Sequence, residues 1–553
     1  MKPDSTRARR YAGLGVFALL FWAVAFAAAY GQAPLYYSNQ NQYFQHGLAA
    51  AGRGDLAHDW LTTTRDPTPV FSAAVAWIYS SAGEWAFYAA CAVLMGVYFI
   101  SIVTLIDATL GLPRSRPARF VLLTLLVAVH AIAVRWASFY ITGTVVPMYL
   151  HRPMAALDIP RYLQFGVAAQ YLLGPGLQPS VFGVLLVTSL AAFARGRLFL
   201  AAAFTAAACA IHASSLLSAA LLTLAYVIVL IRDRRWGAAL FVGAATLVAV
   251  LPVVHYVRQT FGPTTPEQYA EAQRLLAEVR IPHHAIVSQW FDRIAQLQVA
   301  WVALAILFSW GTRLFPLLAI PAIGSVLLTL AQLAPGNPAV MDWLRTHGVG
   351  QETLDKVTAG RWTLALLFPW RISAVLVPVA TAAILTRVVT FMTPYPGRPA
   401  WWGWFARAAA AILLAALVAG GLYITIREPG LMYPTDDAEL PMLAFVESHR
   451  QPDEVYLIPV DLVQFRLTTG AAVYVNWAAV PYYDLEVLEW HQRTERAKRW
   501  YAANDWDAVH DELVKAGITH VVAPAEMAAA AEGATTLQRE FADGAFQVYR
   551  VRR

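Results

Sequence analysis

The chain has 553 residues, 58% of them hydrophobic and only 14% charged, with a net charge of +6. That balance excludes an ordinary soluble protein. It also excludes a nucleic-acid binder, because the arginines fall in short clusters between apolar runs rather than in one patch interleaved with aromatics.

The basic head MKPDSTRARR precedes an apolar run long enough to cross a bilayer, which predicts a retained first span at 12–31 rather than a cleaved signal. Further apolar segments at 85–107, 119–136, 178–194, 198–214, 214–231, 237–256, 296–311, 314–333, 363–388 and 404–426 bring the total to about eleven spans. Segment 69–83 is too short to cross and suits the interface or a re-entrant position. Cys91 and Cys209 sit within apolar runs and read as small core residues.

With the N-terminus inside, Arg114, Arg116, Arg119, Arg195, Arg197, Arg232, Arg234, Arg235, Arg313, Arg387, Arg398 and Arg407 all fall on one side, which makes that side cytoplasmic. The long loops 32–84, 137–177, 257–295 and 334–362 then face outward. After Arg427 the composition changes to a soluble α/β pattern, with β-rich runs EVYLIP, AAVYVNW, ITHVVAP and FQVYRV separated by helical stretches. The fold class expected is an α-helical polytopic membrane protein, residues 1–426, with a C-terminal soluble α/β domain, 427–553, on the outer face of a bacterial inner membrane. That domain carries neither a GxGxxG after a strand nor a phosphate-binding GxxxxGK[ST] loop.

Three groups of residues can carry chemistry. In the first loop, Asn39, Asn41, His46, Asp55, His58, Asp59 and Asp66 are unusually polar for this chain. Solvated caps and turns explain Asp55 and Asp66. Asp59, between His58 and Trp60, reads as an ionisable group whose pKa an apolar neighbour can tune. At membrane depth lie His130, Arg135, His212, His255 and Arg371, all at the outer end of their segments; such residues by default mark a site, with packing or snorkelling as the plain alternative. Arg371 stands about 12 Å inside its span at 1.5 Å per residue, where a planar guanidinium suits a lipid phosphate. Arg152 and Arg361 are weaker partners from neighbouring loops. The adjacent His283 and His284 share no helix face and have no carboxylate at ligand spacing, so no metal site is assigned. In the C-terminal domain, Tyr483, Asp484 and Trp490 offer flat faces and a carboxylate for docking a sugar acceptor, against the plain reading of an ordinary core.

The first-loop stretches NQNQYFQHGLA, HDWL and DPTPVF, between an N-terminal span and about ten more, with an exported C-terminal domain, resemble the GT-C superfamily of integral membrane glycosyltransferases. Through SNQNQYFQHGL, DPTPVF and YVNWAAVPYYDLEVLEWHQR the chain also resembles a branch of bacterial polytopic membrane proteins of unassigned function. The superfamily resemblance implies a membrane lipid environment, a polyprenyl-phosphate-linked sugar donor and a cell-envelope acceptor. It implies a carboxylate base, and Asn39, Gln40 and Asn41 stand where many members have Asp, often followed by Glu. An amide cannot act as a base, so the role passes to Asp59, Asp55 or Asp66, or else the fold is kept without the activity. No cofactor is assigned, a divalent cation being the open alternative. A transporter or flippase for a lipid-linked or polar solute is the rival from another class, consistent with prolines at 252, 316 and 369 inside or beside spans.

Overall fold

The computed structural model describes residues 14–146, 148, 156–392 and 400–553. Among these, six helices are long and apolar enough to cross a membrane: Trp85–Thr109, Ala213–Arg232, Trp236–Thr260, Leu314–Gly336, the interrupted run Gln351–Met392, and Trp401–Ile426. A seventh span requires Arg116–His130 and Ile132–Val145 to count as one, although they are bent by 60°. Val16–Tyr30, Pro179–Ala194, Leu198–Ile211 and Arg293–Phe308 are apolar but shorter. All eleven expected segments are therefore helical, and a count of eleven crossings requires the four short helices to span as well. The chain is a multi-pass helical membrane protein, because a bilayer offers no water to unpaired backbone groups and apolar helices satisfy them internally.

Three breaks in the helices differ from the sequence expectation. Ala131 is extended between Arg116–His130 and Ile132–Tyr140. His212 is extended between Leu198–Ile211 and the turn that leads into Leu216–Arg232. Phe368 takes φ 51 before a 3-10 turn, Pro369–Ile372, that precedes Ser373–Met392. Arg371 therefore lies in an irregular turn and not eight residues inside a continuous helix. Pro369 explains the break, since proline excludes the α conformation from its predecessor and lacks the N–H that would continue the ladder.

Packing among the spans relies on small residues. A Cβ on Gly421 would lie 2.2 Å from the carbonyl oxygen of Ala28, so Val16–Tyr30 and Ala400–Ile426 approach backbone to backbone. Trp22, Phe26, Tyr98 and Phe99 fill the adjacent core as a run of ring contacts.

Beyond Arg427 the chain forms a five-stranded mixed sheet in the order β2-β1-β3-β5-β4, made of β1 Val455–Leu457, β2 Ala472–Val473, β3 His520–Pro524, β4 Leu537–Ala542 and β5 Phe546–Val551. β2, β1 and β3 are parallel, while β5 runs antiparallel to both β3 and β4. Trp490, Trp500 and Trp506 pack on one face; Met442, Phe465 and Val548 pack on the other. Strand β4, with sequence LQREFA, escaped the sequence reading because it is an edge strand whose polar side chains face outward.

The first loop does not hang free. Asp55 donates its backbone N–H to Gly470 and Arg53 donates to the carbonyls of Leu467 and Thr468. Residues 40–66 thus form the bed on which the C-terminal region rests.

Candidate functional site

The amide run after the first span has a structural explanation. Tyr36 and Ser38 both take left-handed φ, 64° and 56°, in a tight turn. Gln40 accepts from the Tyr36 N–H at 2.6 Å and donates to Leu177 at 3.1 Å, while Asn41 donates to the Tyr36 carbonyl. The Gln40 amide donates and accepts at once and Asn41 donates, whereas an ionised carboxylate at either position offers no donor. Gln42 uses both ends as well: it accepts from Val480 N–H at 2.8 Å and donates to Val480 O at 2.9 Å.

The carboxylates proposed as bases are committed elsewhere. Asp59 is 0% exposed and faces Arg466, itself 2% exposed, at 2.8 Å. Its carboxylate also accepts from Val473 N–H and Leu61 N–H, both at 2.8 Å. A carboxylate that is 0% exposed and accepts from three protein donors is not open to a substrate hydroxyl, so its environment is the Arg466 pair rather than the tuning by His58 and Trp60 expected from the sequence. Asp55 is buried, pairs with His58 at 2.7 Å and accepts from Asp453 N–H. Asp66 accepts from Thr68 N–H in a turn just before the helix Pro69–Ala82, and its carbonyl accepts from Tyr256 OH.

Several other expected site residues also have local partners. His46 meets the Thr64 carbonyl at 3.1 Å. His130 is buried between Tyr98 OH and the Leu126 carbonyl, and Arg135 pairs with buried Asp158 at 2.8 Å. His255 lines an open groove on Trp236–Thr260 with Leu251, Pro252 and Arg258. Arg361 lies over its neighbour Trp362, and Arg152 lies outside the described residues. Trp490 is a core residue at 0% exposure. Tyr483 hydrogen-bonds Thr264 at 2.7 Å under a stacked Arg65, and Asp484 accepts from Thr264 N–H and its hydroxyl. These C-terminal groups tie the chain to itself rather than presenting an open docking face.

What the fold does bring together is a carboxylate-free cluster around Arg371. Its Nη2 reaches His212 Nδ1 at 3.4 Å, and the phenols of Tyr43, Tyr171 and Tyr482 lie within electrostatic reach of its guanidinium. Asn39 donates to Tyr171 OH at 3.1 Å. The two helix breaks, at His212 and Phe368, are what turn these side chains toward one another. From loop 261–292 come Arg280, His283 and His284. Arg280 donates to the Ala478 carbonyl at 2.7 Å, while its Nε is buried with no partner. Burial, then the neighbouring His283, Arg371 and Arg280, push the His284 imidazole down to about 3, so it is neutral at pH 7. Gln170 donates to its Nδ1 at 3.0 Å, which leaves the proton on Nε2. Among the described residues neither Arg371 nor Arg280 has a salt-bridge partner, and no group of three His, Cys, Asp or Glu side chains is placed to hold a metal ion.

The arrangement can bind an anion. A buried guanidinium without a counter-ion is costly, and a phosphate would supply the missing charge and acceptor oxygens. Of the residues gathered here, the sequence singled out Arg371, His212 and Asn39, and Tyr482 only within the C-terminal stretch YVNWAAVPYYDLEVLEWHQR; Tyr43, Tyr171 and Arg280 look like ordinary loop residues until the fold gathers them.

A domain-of-unknown-function family, DUF6798, matches residues 437–497. No curated protein matches the chain. Among solved structures, the chain is similar to the mycobacterial arabinofuranosyltransferase AftD, R1389S mutant, with 13% identity and a TM-score of 0.45 over 98% of this chain and 42% of that one. It is also similar to ArnT from Cupriavidus metallidurans bound to undecaprenyl phosphate, with 13% identity and a TM-score of 0.38 over 97% of both chains. The chain thus spans well under half the length of the arabinofuranosyltransferase.

Proposed function

We propose that this protein is a GT-C-type membrane glycosyltransferase that takes a sugar from a polyprenyl-phosphate carrier and transfers it to an envelope acceptor on the outer face of the membrane. The observation that carries the reading is Arg371, held at a helix break with no carboxylate partner among the described residues and with phenols and the His212 imidazole around it. The first-loop resemblance to the superfamily points the same way. In this reading Arg371, with Arg280 sharing Tyr43 and Tyr482 as neighbours, binds the lipid phosphate and stabilises the charge that grows on it as the bond from the anomeric carbon to the phosphate oxygen breaks. The acceptor hydroxyl forms the new bond to that carbon. With the first-loop carboxylates engaged, its proton passes to the departing phosphate oxygen.

Purified chain in lipid nanodiscs should bind undecaprenyl monophosphate, and Arg371→Ala should weaken binding about 30-fold or more, the cost of removing one partner from a buried charged pair. Radiolabelled polyprenyl-phosphate sugars with an envelope extract should give labelled acceptor. Unchanged binding in Arg371→Ala would remove the proposal.

A second reading is a lipid-phosphate-binding scaffold without transfer. It is favoured by the commitment of Gln40, Asn41 and Gln42 to backbone groups and of Asp59 to Arg466. Lipid binding with no labelled product from any carrier would select it.

A further inference from the structure

We propose that the anion site is composite: the C-terminal region supplies Tyr482 as a ligand-contacting residue, and Gln42 of the first loop is the positioning residue that holds Tyr482 in place. The inference rests on the reading of Arg371 as a phosphate-binding residue and adds to it a second chain segment and a clamp.

After β2 the chain stays beside the β1 segment, with Tyr474 N–H on the Tyr456 carbonyl and Trp477 N–H on the Val460 carbonyl. Residues 478–483 then run across the loops of the helical region before the helix Asp484–Ala503 begins. Their tethers there come from sequence-distant parts of the chain. The carbonyl of Ala478 accepts from Arg280. Val480 exchanges two hydrogen bonds with the Gln42 side chain, whose amide imitates the donor and acceptor of a neighbouring strand. Tyr483 and Asp484 are bonded to Thr264. Tyr482 lies between these fixed points, so its backbone has little freedom, and its ring faces Tyr43, Arg280 and Arg371.

The hydroxyls of the two adjacent tyrosines differ. That of Tyr483 is 2.7 Å from Thr264 Oγ1. Among the described residues that of Tyr482 reaches only Tyr43 OH, at 3.5 Å, the outer limit of a hydrogen bond. A phenol without a strong acceptor, opposite two guanidiniums that lack counter-ions, is placed to donate to an anionic oxygen. Burial, with Tyr43 as the next cause, holds its ionisation well above the usual tyrosine value, so it remains a donor at neutral pH. The residue at position 42 must then be an amide. Glutamate would lose the donor to Val480 O, alanine would lose both contacts, and either change frees the segment that carries Tyr482.

The test uses the full chain in nanodiscs, titrated with undecaprenyl monophosphate, with thermal melting recorded in parallel. Tyr482→Phe, which removes one hydroxyl, is expected to weaken binding about tenfold, the typical value of a hydrogen bond to a charged group, without lowering the melting temperature. Gln42→Ala is expected to weaken it similarly, and the double variant to bind no more than about twofold worse than the weaker single, because both act through one hydroxyl. If Gln42→Ala does not fold, Gln42→Glu takes its place in the cycle. Wild-type affinity in Tyr482→Phe, alongside loss in Arg371→Ala, overturns this inference and leaves the phosphate reading standing. Wild-type affinity in both, or no binding by the unaltered chain, overturns both. Losses that multiply in the double variant overturn the positioning role of Gln42.

Discussion

Asp59→Asn separates a structural carboxylate from a catalytic one. In the native chain Asp59 accepts from Arg466 Nε, Val473 N–H and Leu61 N–H, and neither it nor Arg466 is appreciably exposed. Asparagine keeps the shape but has one acceptor oxygen. An NH₂ in place of Oδ2 points donor against donor at both Arg466 and Val473 and leaves Arg466 only its 3.3 Å contact with Asn476, whereas in place of Oδ1 it does so at Leu61 N–H; either way Arg466 loses its counter-charge. Breaking a buried pair from one side costs about 3–5 kcal/mol, and because nearly all of this ties the first loop to β2, it should appear as local opening of the sheet. At 1.36 kcal/mol per decade, hydrogen exchange at the amides of 455–457 and 472–475 should accelerate by about two to nearly four decades. Arg466→Met should produce a loss of the same order, and Asp59→Leu combined with Arg466→Met should cost less than the two single changes added together. Wild-type exchange rates in Asp59→Asn would refute this reasoning, and wild-type exchange with abolished transfer would restore Asp59 as the base.

Glu439 is half-buried, and burial, with Asp436 and Asp461 adding to it, pushes its carboxyl up to about 7 from 4.5. A raised carboxyl value means that the native state keeps a proton the unfolded chain has released, so stability falls as pH rises from 4.5 toward 7; Glu439→Gln should melt above the parent at pH 8 and level with it at pH 4. Gly421→Ala would push a methyl into the Ala28 carbonyl, 2.2 Å away, and should destabilise the helix pair by about 1–3 kcal/mol in detergent melts. Gly237→Ala, which meets nothing within 4 Å, should leave melting unchanged or slightly raised. Alkaline phosphatase fused after Arg553 should be active and fusions at Arg116 or Arg234 inactive; the reverse pattern would place the C-terminal region in the cytoplasm.

Hydropathy alone located every apolar helix, because exclusion of water from the bilayer demands a locally continuous apolar stretch. It passed over the breaks at Ala131, His212 and Phe368, since the apolar composition continues through them. Strands β1, β2, β3 and β5 were legible from the β-rich runs that contain them, and β4 was not, because an edge strand with outward polar groups has no apolar period. Arg371 was legible as well: a charge in an apolar run is expensive enough to mark itself. Its surroundings were not, for Tyr43, Tyr171, Arg280 and Tyr482 come from four separate stretches, and nothing local joins them to it. Asp59 was misjudged for the same reason. A neighbouring histidine and tryptophan suggested a tuned base, whereas its actual environment is an arginine 407 residues further along the chain. Burial of apolar surface is an additive, local property that a sequence carries on its face; the partner of a charge, and so its chemistry, is decided only when distant segments are folded into contact.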